Sequence, residues 1–360
     1  MGVQERIKEI EEEMARTQVN KATEYHLGVL KAKLAKLRRE LIAPRGTGGG
    51  SGFEIKRSGD ASIVLIGLPS VGKSTLLGKL TNRESKIAAY AFTTLTCIPG
   101  VMEYKGARIQ ILDLPGILEG AKDGKGRGRE VIAVARNSDL IFVLVEAMHP
   151  KQKTVIENEL YGFGIRTNRN RPQVIIDKNA KGGIVINTTV KLTKISKNEI
   201  IAALNEYRIF NANVVLRNDI DIDEFIDVLE GNREYIPTIH ILTKSDLITK
   251  KDLVKVSKEY DIAIAAEKGE GIEKLKEIAY QKLNLINIFT KRKGEETDLE
   301  EPLVVRRGIK ISEVCDRLHR DLRKEFRYAM VWGKSVKHQP QKVGLAHILA
   351  DGDIIQIIKR

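Results

Sequence analysis

The chain has 360 residues, too many for one ordinary domain, and its 42% apolar content rules out wholesale disorder. With 61 basic and 48 acidic side chains the net charge is +13, so the molecule is globular and basic. Its two cysteines, Cys97 and Cys315, lie far apart without metal-type spacing, which excludes a disulfide framework and fits a reducing compartment, the cytoplasm by default.

At the N-terminus no apolar signal core follows Met1, and Arg6 stands where a myristoylation signal needs Ser or Thr, so no targeting segment is expected. Ile7, Ile10 and Met14, then Leu27, Leu30, Leu34, Leu37 and Leu41, recur in steps of three and four. They predict a helical hairpin over 1–42, suited to a packing seam or to a partner-binding arm. The glycine run from Arg45 to Gly52 reads as a linker or an ordered turn. From Ala61, β-rich runs alternate with helical patterns: Ile63 to Ile66, Arg108 to Leu112, Leu140 to Val145, Ile239 to Leu242, and Ile262 to Ala265. That is the rhythm of a mainly parallel sheet flanked by helices. Leu140 to Val145 is among the longest apolar runs and far short of the roughly 20 residues of a spanning helix, so no membrane span is expected. Glycines 116, 120, 124, 126 and 128 mark a mobile loop.

Residues 165–236 carry strand patterns (Val174 to Ile176, Ile184 to Leu192, Val214 to Leu216) and helical ones (Glu199 to Tyr207, Asp223 to Leu229). This is too much order for a loop and predicts an inserted domain. Strand patterns at Asn287 to Thr290, Val304 to Arg306 and Ile354 to Ile358, with a helix from Ile311 to His319, make 286–360 a small α+β module. The expected division is 1–42, 43–164 with 237–285 as the two parts of one α/β domain, 165–236 inserted between them, and 286–360.

Gly67, Leu68, Pro69, Ser70, Val71, Gly72, Lys73, Ser74 and Thr75 fit the phosphate-loop pattern, after a strand and before a helix. Successive backbone N–H groups there curl around a phosphate, and the helix N-terminus adds partial positive charge. Lys73 is placed to neutralise β- and γ-phosphates, and Ser74 to offer a hydroxyl to Mg²⁺. Asp113, at the carboxyl end of the next strand, reaches the magnesium shell, and the Gly116 amide senses a γ-phosphate. Phe92-Thr93-Thr94-Leu95 suits a first switch whose threonine joins the metal only with γ-phosphate present. Thr243-Lys244-Ser245-Asp246 follows a strand at the same sheet edge. The Asp246 carboxylate accepts from N1–H and the 2-amino group of guanine, which adenine cannot match, while the Lys244 stem covers the base. Taken alone, the tetrapeptide also reads as a helix-capping turn. Ala265 and Ala266 end the next strand and offer a backbone N–H to O6 of the base.

These motifs, together with Ala91-Phe92-Thr93-Thr94-Leu95-Thr96, Asp113-Leu114-Pro115-Gly116-Ile117 and the segment from Gly120 to Arg136, resemble the developmentally regulated GTP-binding proteins, within the Obg-related GTPases. The resemblance covers essentially the whole chain. It implies an α/β architecture: a P-loop GTPase domain with an inserted α+β domain like the second domain of ribosomal protein S5, an N-terminal helical segment and a C-terminal ubiquitin-like TGS domain. It implies a cytoplasmic GTPase acting with the ribosome or translation factors, in some relatives stimulated by potassium and stabilised by a partner protein. It also selects Thr94 over Thr93 as the switch ligand. Catalytic roles fall to Lys73, Thr94 and Gly116, and metal ligation to Ser74, Thr94 and Asp113. The chain departs from the family in Thr243, where Asn usually braces the phosphate loop, and in Ala265-Ala266, commonly Ser-Ala. Ile117 replaces the water-orienting Gln of Ras-like GTPases and cannot hydrogen-bond, so slow intrinsic hydrolysis is expected. Ser70 stands where potassium-dependent relatives often place Asn. Arg127 and Arg129 read as a solvated switch loop rather than as inserted charge donors.

Between 165 and 197 eight basic residues face a single acid, Asp177, and between 302 and 360 thirteen basic residues face six acids. Such clustering suits RNA backbone contact, with hydrated faces serving solubility as the alternative, and the low aromatic content of 5% argues against base stacking. The expectation is a Mg²⁺-dependent GTPase switch on the ribosome. An ATP-preferring relative and an RNA-binding scaffold with little hydrolysis are the alternatives.

Overall fold

The computed structural model describes residues 2–18, 20, 23–42, 59–81, 88–89, 96–114, 134–291, 301–319 and 321–359. In chain order the first elements are α1 (Val3–Arg16), α2 (Glu24–Ile42), β1 (Ala61–Gly67), α3 (Lys73–Leu80), β2 (Ala88–Ala89), β3 (Thr96–Tyr104), β4 (Ala107–Asp113), β5 (Leu140–Glu146) and α4 (Gln152–Gly162). There follow β6 (Ile165–Thr167), β7 (Val174–Lys178), β8 (Ile184–Thr188), α5 (Lys197–Glu206), β9 (Ala212–Leu216), α6 (Ile222–Glu230) and β10 (Glu234–Ile236). The last are β11 (Thr238–Thr243), α7 (Lys250–Val256), β12 (Ile262–Ala263), α8 (Ile272–Lys282), β13 (Leu285–Thr290), β14 (Leu303–Arg306), α9 (Ile311–Leu318), β15 (Phe326–Trp332), β16 (Gln341–Val343) and β17 (Ile354–Lys359). They condense into two compact units, 1–52 with 154–236 and 53–153 with 237–360.

In the first unit α1 and α2 pair through Glu13–His26 and Glu11–Arg38, both at 2.9 Å. No residue of α1 is buried, whereas α2 buries Leu30, Ala32 and Leu34. Ala32 enters the core made by Ile200, Leu204, Val214 and Phe225, and Lys31 and Lys36 pair with Asp223 and Glu206. The apolar stripe of α2 is therefore a packing seam. In the three-stranded sheet β9 is central, antiparallel to β7 and parallel to β8. The strand expected from Ile184 to Leu192 stops at Thr188, opposite the last residue of β9, Leu216. Beyond it Asp219 accepts from the Thr193 amide (2.8 Å) and turns the chain away. Arg166, counted above among RNA-facing cations, is instead buried against Asp227.

The second unit is built on a seven-stranded sheet of order β12-β11-β5-β1-β4-β3-β2. β1, β4, β5, β11 and β12 run parallel, and β3 and β2 complete it antiparallel. Every residue of β1 is buried, as a central parallel strand covered on both faces requires. Leu76 and Leu77 of α3 and Leu275 of α8 pack on Ile63, Leu65, Phe142 and Ile241. The phosphate loop, Asp113, the segment 243–246 and Ala265-Ala266 thus lie at the carboxyl ends of parallel strands. The run expected from Ile262 to Ala265 is shorter, because Ala265 turns to bridge Glu270. The C-terminal part is a five-stranded sheet of order β14-β13-β17-β15-β16 over α9. Among the described residues no helix is long and apolar enough to cross a membrane.

Candidate nucleotide-binding site

The loop after β1 passes Ser70 at φ +61° and Gly72 at φ +96°, then enters α3 at Lys73. A side chain at Gly72 would be strained by that left-handed backbone, so glycine is needed there. Lys73 Nζ lies back across the loop and donates to the Gly67 and Leu68 carbonyls, each at 3.0 Å. Both acceptors are neutral, so a phosphate oxygen is a stronger partner for the same ammonium.

Pairing of β1 with β4 sets Leu65 beside Asp113. Ser74 Oγ donates to Asp113 Oδ2 at 2.9 Å. Asp113 is 6% exposed, and its Oδ1 is buried with no hydrogen-bond partner among the described residues. A buried carboxylate oxygen without a donor is costly unless a cation or ligand completes it. A hydroxyl and a carboxylate are the hard oxygen donors that Mg²⁺ takes while keeping several waters, so this pair fits that ion.

Thr243 ends β11 opposite Glu146 of β5 and is buried. Its Oγ1 stands 2.8 Å from the Val71 carbonyl of the phosphate loop and 3.2 Å from that of Val145. A hydroxyl thus makes the brace to the phosphate loop at this position. Lys244 takes φ +54°, and its Nζ reaches Glu146 Oε1 at 2.9 Å. Ser245–Leu247 form one short helical turn, whose Ser245 amide donates to the Ile264 carbonyl (3.1 Å). Asp246 meets Lys268 Nζ at 3.1 Å, and that hydrogen bond holds its carboxyl below the usual carboxylate range. The Ala265 amide donates to the Glu270 carbonyl at 3.1 Å.

The structure therefore brings together Gly67, Pro69, Ser70, Val71, Gly72, Lys73, Ser74 and Thr75 with Asp113 and Thr243, and sets Lys244 and Asp246 beside the Ala265-Ala266 turn. Thr94, Gly116, Ile117, Arg127 and Arg129 lie outside the described residues. Sequence reasoning missed Glu146 and Lys268. A charge ending the otherwise apolar β5 was the signal for Glu146. Lys268 had none.

Residues 62–178 match the family described as "50S ribosome-binding GTPase", 181–285 its C-terminal region, and 286–359 the TGS domain. Developmentally-regulated GTP-binding protein 1 of Xenopus laevis is 51% identical, over the full length of both chains. Its homologue in Dictyostelium discoideum is 50% identical, again over the full length of both. The chain belongs to the family of developmentally-regulated GTP-binding proteins. Guanylate binding protein 128up of Drosophila melanogaster is 51% identical over 99% of this chain and 98% of its own. As a member of this family the chain is a GTP-binding protein of the GTPase class, with a P-loop GTPase domain and a C-terminal TGS domain.

Proposed function

We propose that this chain is a Mg²⁺-dependent, GTP-hydrolysing switch that works on the ribosome in the cytoplasm. The observation that carries the reading is the pair of Ser74, in the phosphate loop, with Asp113, at the end of β4, whose Oδ1 has no hydrogen-bond partner among the described residues. Lys73 would exchange two carbonyl partners for β- and γ-phosphate oxygens, stabilising the charge that develops between them. Ser74, Asp113 and, with γ-phosphate present, Thr94 would hold the Mg²⁺. That ion supplies charge neutralisation on the phosphates. Gly116 would sense the γ-phosphate through its amide, and release of Thr94 and Gly116 after hydrolysis would relax both switches. Asp246 and Lys244 would read and cover guanine, with Ala266 toward O6. Ile117 cannot orient water, so turnover is slow until potassium or a partner supplies positive charge.

The five-segment division stands as part of this proposal, with 165–236 as an S5-like insertion. RNA is the proposed partner of the two basic modules. In the insertion, Arg169, Arg171, Lys178, Lys181, Lys191, Lys194 and Lys197 remain exposed for it. The matching family, described as ribosome-binding, supports the ribosome, and a stabilising protein partner is proposed from the resemblance. Competition between GTP and ATP tests the base. Preference for ATP sinks the reading, and Asp246→Asn is expected to shift preference toward xanthine nucleotide. Multiple-turnover phosphate release with and without potassium or ribosomes tests catalysis, and no turnover under any condition would point to a scaffold. RNA affinity that ignores salt would exclude a phosphate-backbone interface.

A further inference from the structure

A carboxylate reads guanine through two hydrogen bonds only if both oxygens lie in the plane of the base. The terminal torsion of an aspartate is broad, so nothing intrinsic fixes that plane. Here Lys268 fixes one edge, because its Nζ sits 3.1 Å from Asp246 Oδ2. A carboxylate has about four lone-pair sites, so one can be held by the ammonium while both oxygens still accept from a base.

The ammonium is itself well placed. Lys268 stands in a tight turn closed by the Ala265–Glu270 bridge and by its own amide donating to the Ala265 carbonyl (3.1 Å). That turn is tied to the Asp246 turn by the bond from the Ser245 amide to the Ile264 carbonyl (3.1 Å). Asp246 and Lys268 therefore move as one frame. On the other side Glu146, at the end of β5, holds Lys244 Nζ at 2.9 Å. With its head anchored, the four-carbon stem of Lys244 gives up much of its rotamer freedom before any base arrives.

We propose that Lys268 and Glu146 are positioning residues for guanine recognition, Lys268 setting the plane of the Asp246 carboxylate and Glu146 stretching Lys244 into a flat apolar cover. This rests on the reading of Asp246 as the guanine-directed group. The two roles differ in what they predict. The carboxylate plane matters for the 2-amino group, which inosine nucleotides lack, whereas an apolar cover serves both bases alike.

The test is equilibrium binding of GDP, IDP and XDP to the full chain and its variants, in the presence of Mg²⁺. Lys268→Met is expected to lower the GDP-over-IDP preference about tenfold, chiefly through weaker GDP, as loss of one aligned hydrogen bond would. Lys268→Arg is expected to restore it. Glu146→Gln is expected to weaken GDP and IDP together and leave their ratio in place. Both ion pairs are solvent-screened and contribute little to stability, so these variants fold. An unchanged ratio in Lys268→Met, or tighter GDP binding, overturns the role of Lys268, the latter by making it a competitor of the base. Unaltered binding in Glu146→Gln overturns the role of Glu146. Asp246→Asn separates the two levels: if it shifts preference to XDP while Lys268→Met does nothing, only the present inference fails. If it shifts nothing, the reading of Asp246 fails first.

Discussion

Thr243 ties the segment proposed to read the base to the phosphate loop, since it precedes Lys244 and its hydroxyl stands 2.8 Å from the Val71 carbonyl. A hydroxyl has one proton, so the shorter contact takes it, and the 3.2 Å approach to the Val145 carbonyl adds little. Thr243→Val keeps the volume and the β-branch but leaves a buried carbonyl without a donor, which costs about 1–3 kcal/mol. The expected outcome is a lower melting temperature and GDP binding weakened about tenfold, with Thr243→Ser close to the parent. Titration with a fluorescent guanine nucleotide measures this, and equal binding by the Val and Ser forms would remove the brace from the account. At this scale the sequence exposes what is contiguous: the phosphate loop, Asp113 and the tetrapeptide at 243–246. It hides what distance supplies. The partners Glu146 and Lys244 lie 98 positions apart, and no local pattern pairs them.

Elements follow the same rule. α5 and α6 each begin with a capping box legible in the chain, Ser196 with Glu199 and Asp221 with Glu224. In the second, the Glu224 amide donates to Asp221 Oδ1 at 2.8 Å, and the Asp221 amide to Glu224 Oε2 at 3.0 Å. Asp221→Ala is expected to cost about 1 kcal/mol in chemical unfolding. One turn on, Asp227 sits between two buried guanidinium groups, at 2.5 Å from Arg166 Nε and 3.1 Å from Arg233 Nε. Asp227→Asn removes the carboxylate charge that pairs with both and is expected to cost about 3–5 kcal/mol, far more than the lost cap. If the two variants unfold at similar urea concentrations, the ion cluster is not what holds α6 to β6. Weakly patterned elements of both kinds escape local reading, the helices α4, α7 and α8 as well as several strands. β3 carries Pro99-Gly100, which argues locally against a strand, yet it pairs with β4 from Ile98 to Tyr104. β15 and β16 lack a clear hydrophobic alternation, and their order comes from pairing, β15 against β17 and β16 against β15.

On the scale of the whole molecule, the condensation of 1–52 with 154–236 is invisible in local pattern, since a contact such as Lys31–Asp223 spans 192 positions. Within the second unit the C-terminal sheet is joined to the large sheet by shared core, with Leu285 and Val304 packed among the GTPase residues. The β3–β4 turn adds a polar clasp. Asn287 Nδ2 donates to the Lys105 carbonyl at 2.9 Å, and Glu277 of α8 accepts from Tyr104 Oη and from Lys105 Nζ, the latter at 2.7 Å. Gly106 completes the turn at φ +80°, where an added Cβ would stand 2.6 Å from Pro302 Cγ, so Gly106→Ala is expected to loosen the clasp and lower the melting temperature. The charge in the clasp is separable from its packing by pH. Hydrogen bonds from Lys105, then Tyr104 and Gln281, hold the Glu277 carboxyl at about 2 against an ordinary 4.5. A depressed carboxylate stabilises the fold at pH values above its unfolded pKa, and that contribution drains away as protons return. Its window therefore runs downward from 4.5 to about 2. Glu277→Gln removes the contribution at every pH, so the variant melts below the parent at neutral pH and the two curves converge through that window. High salt should narrow the neutral-pH gap as well, because the clasp is solvent-screened. Melting temperatures of both proteins from pH 7 downward read this directly, and a gap that stays constant into acid would assign the role of Glu277 to shape rather than charge.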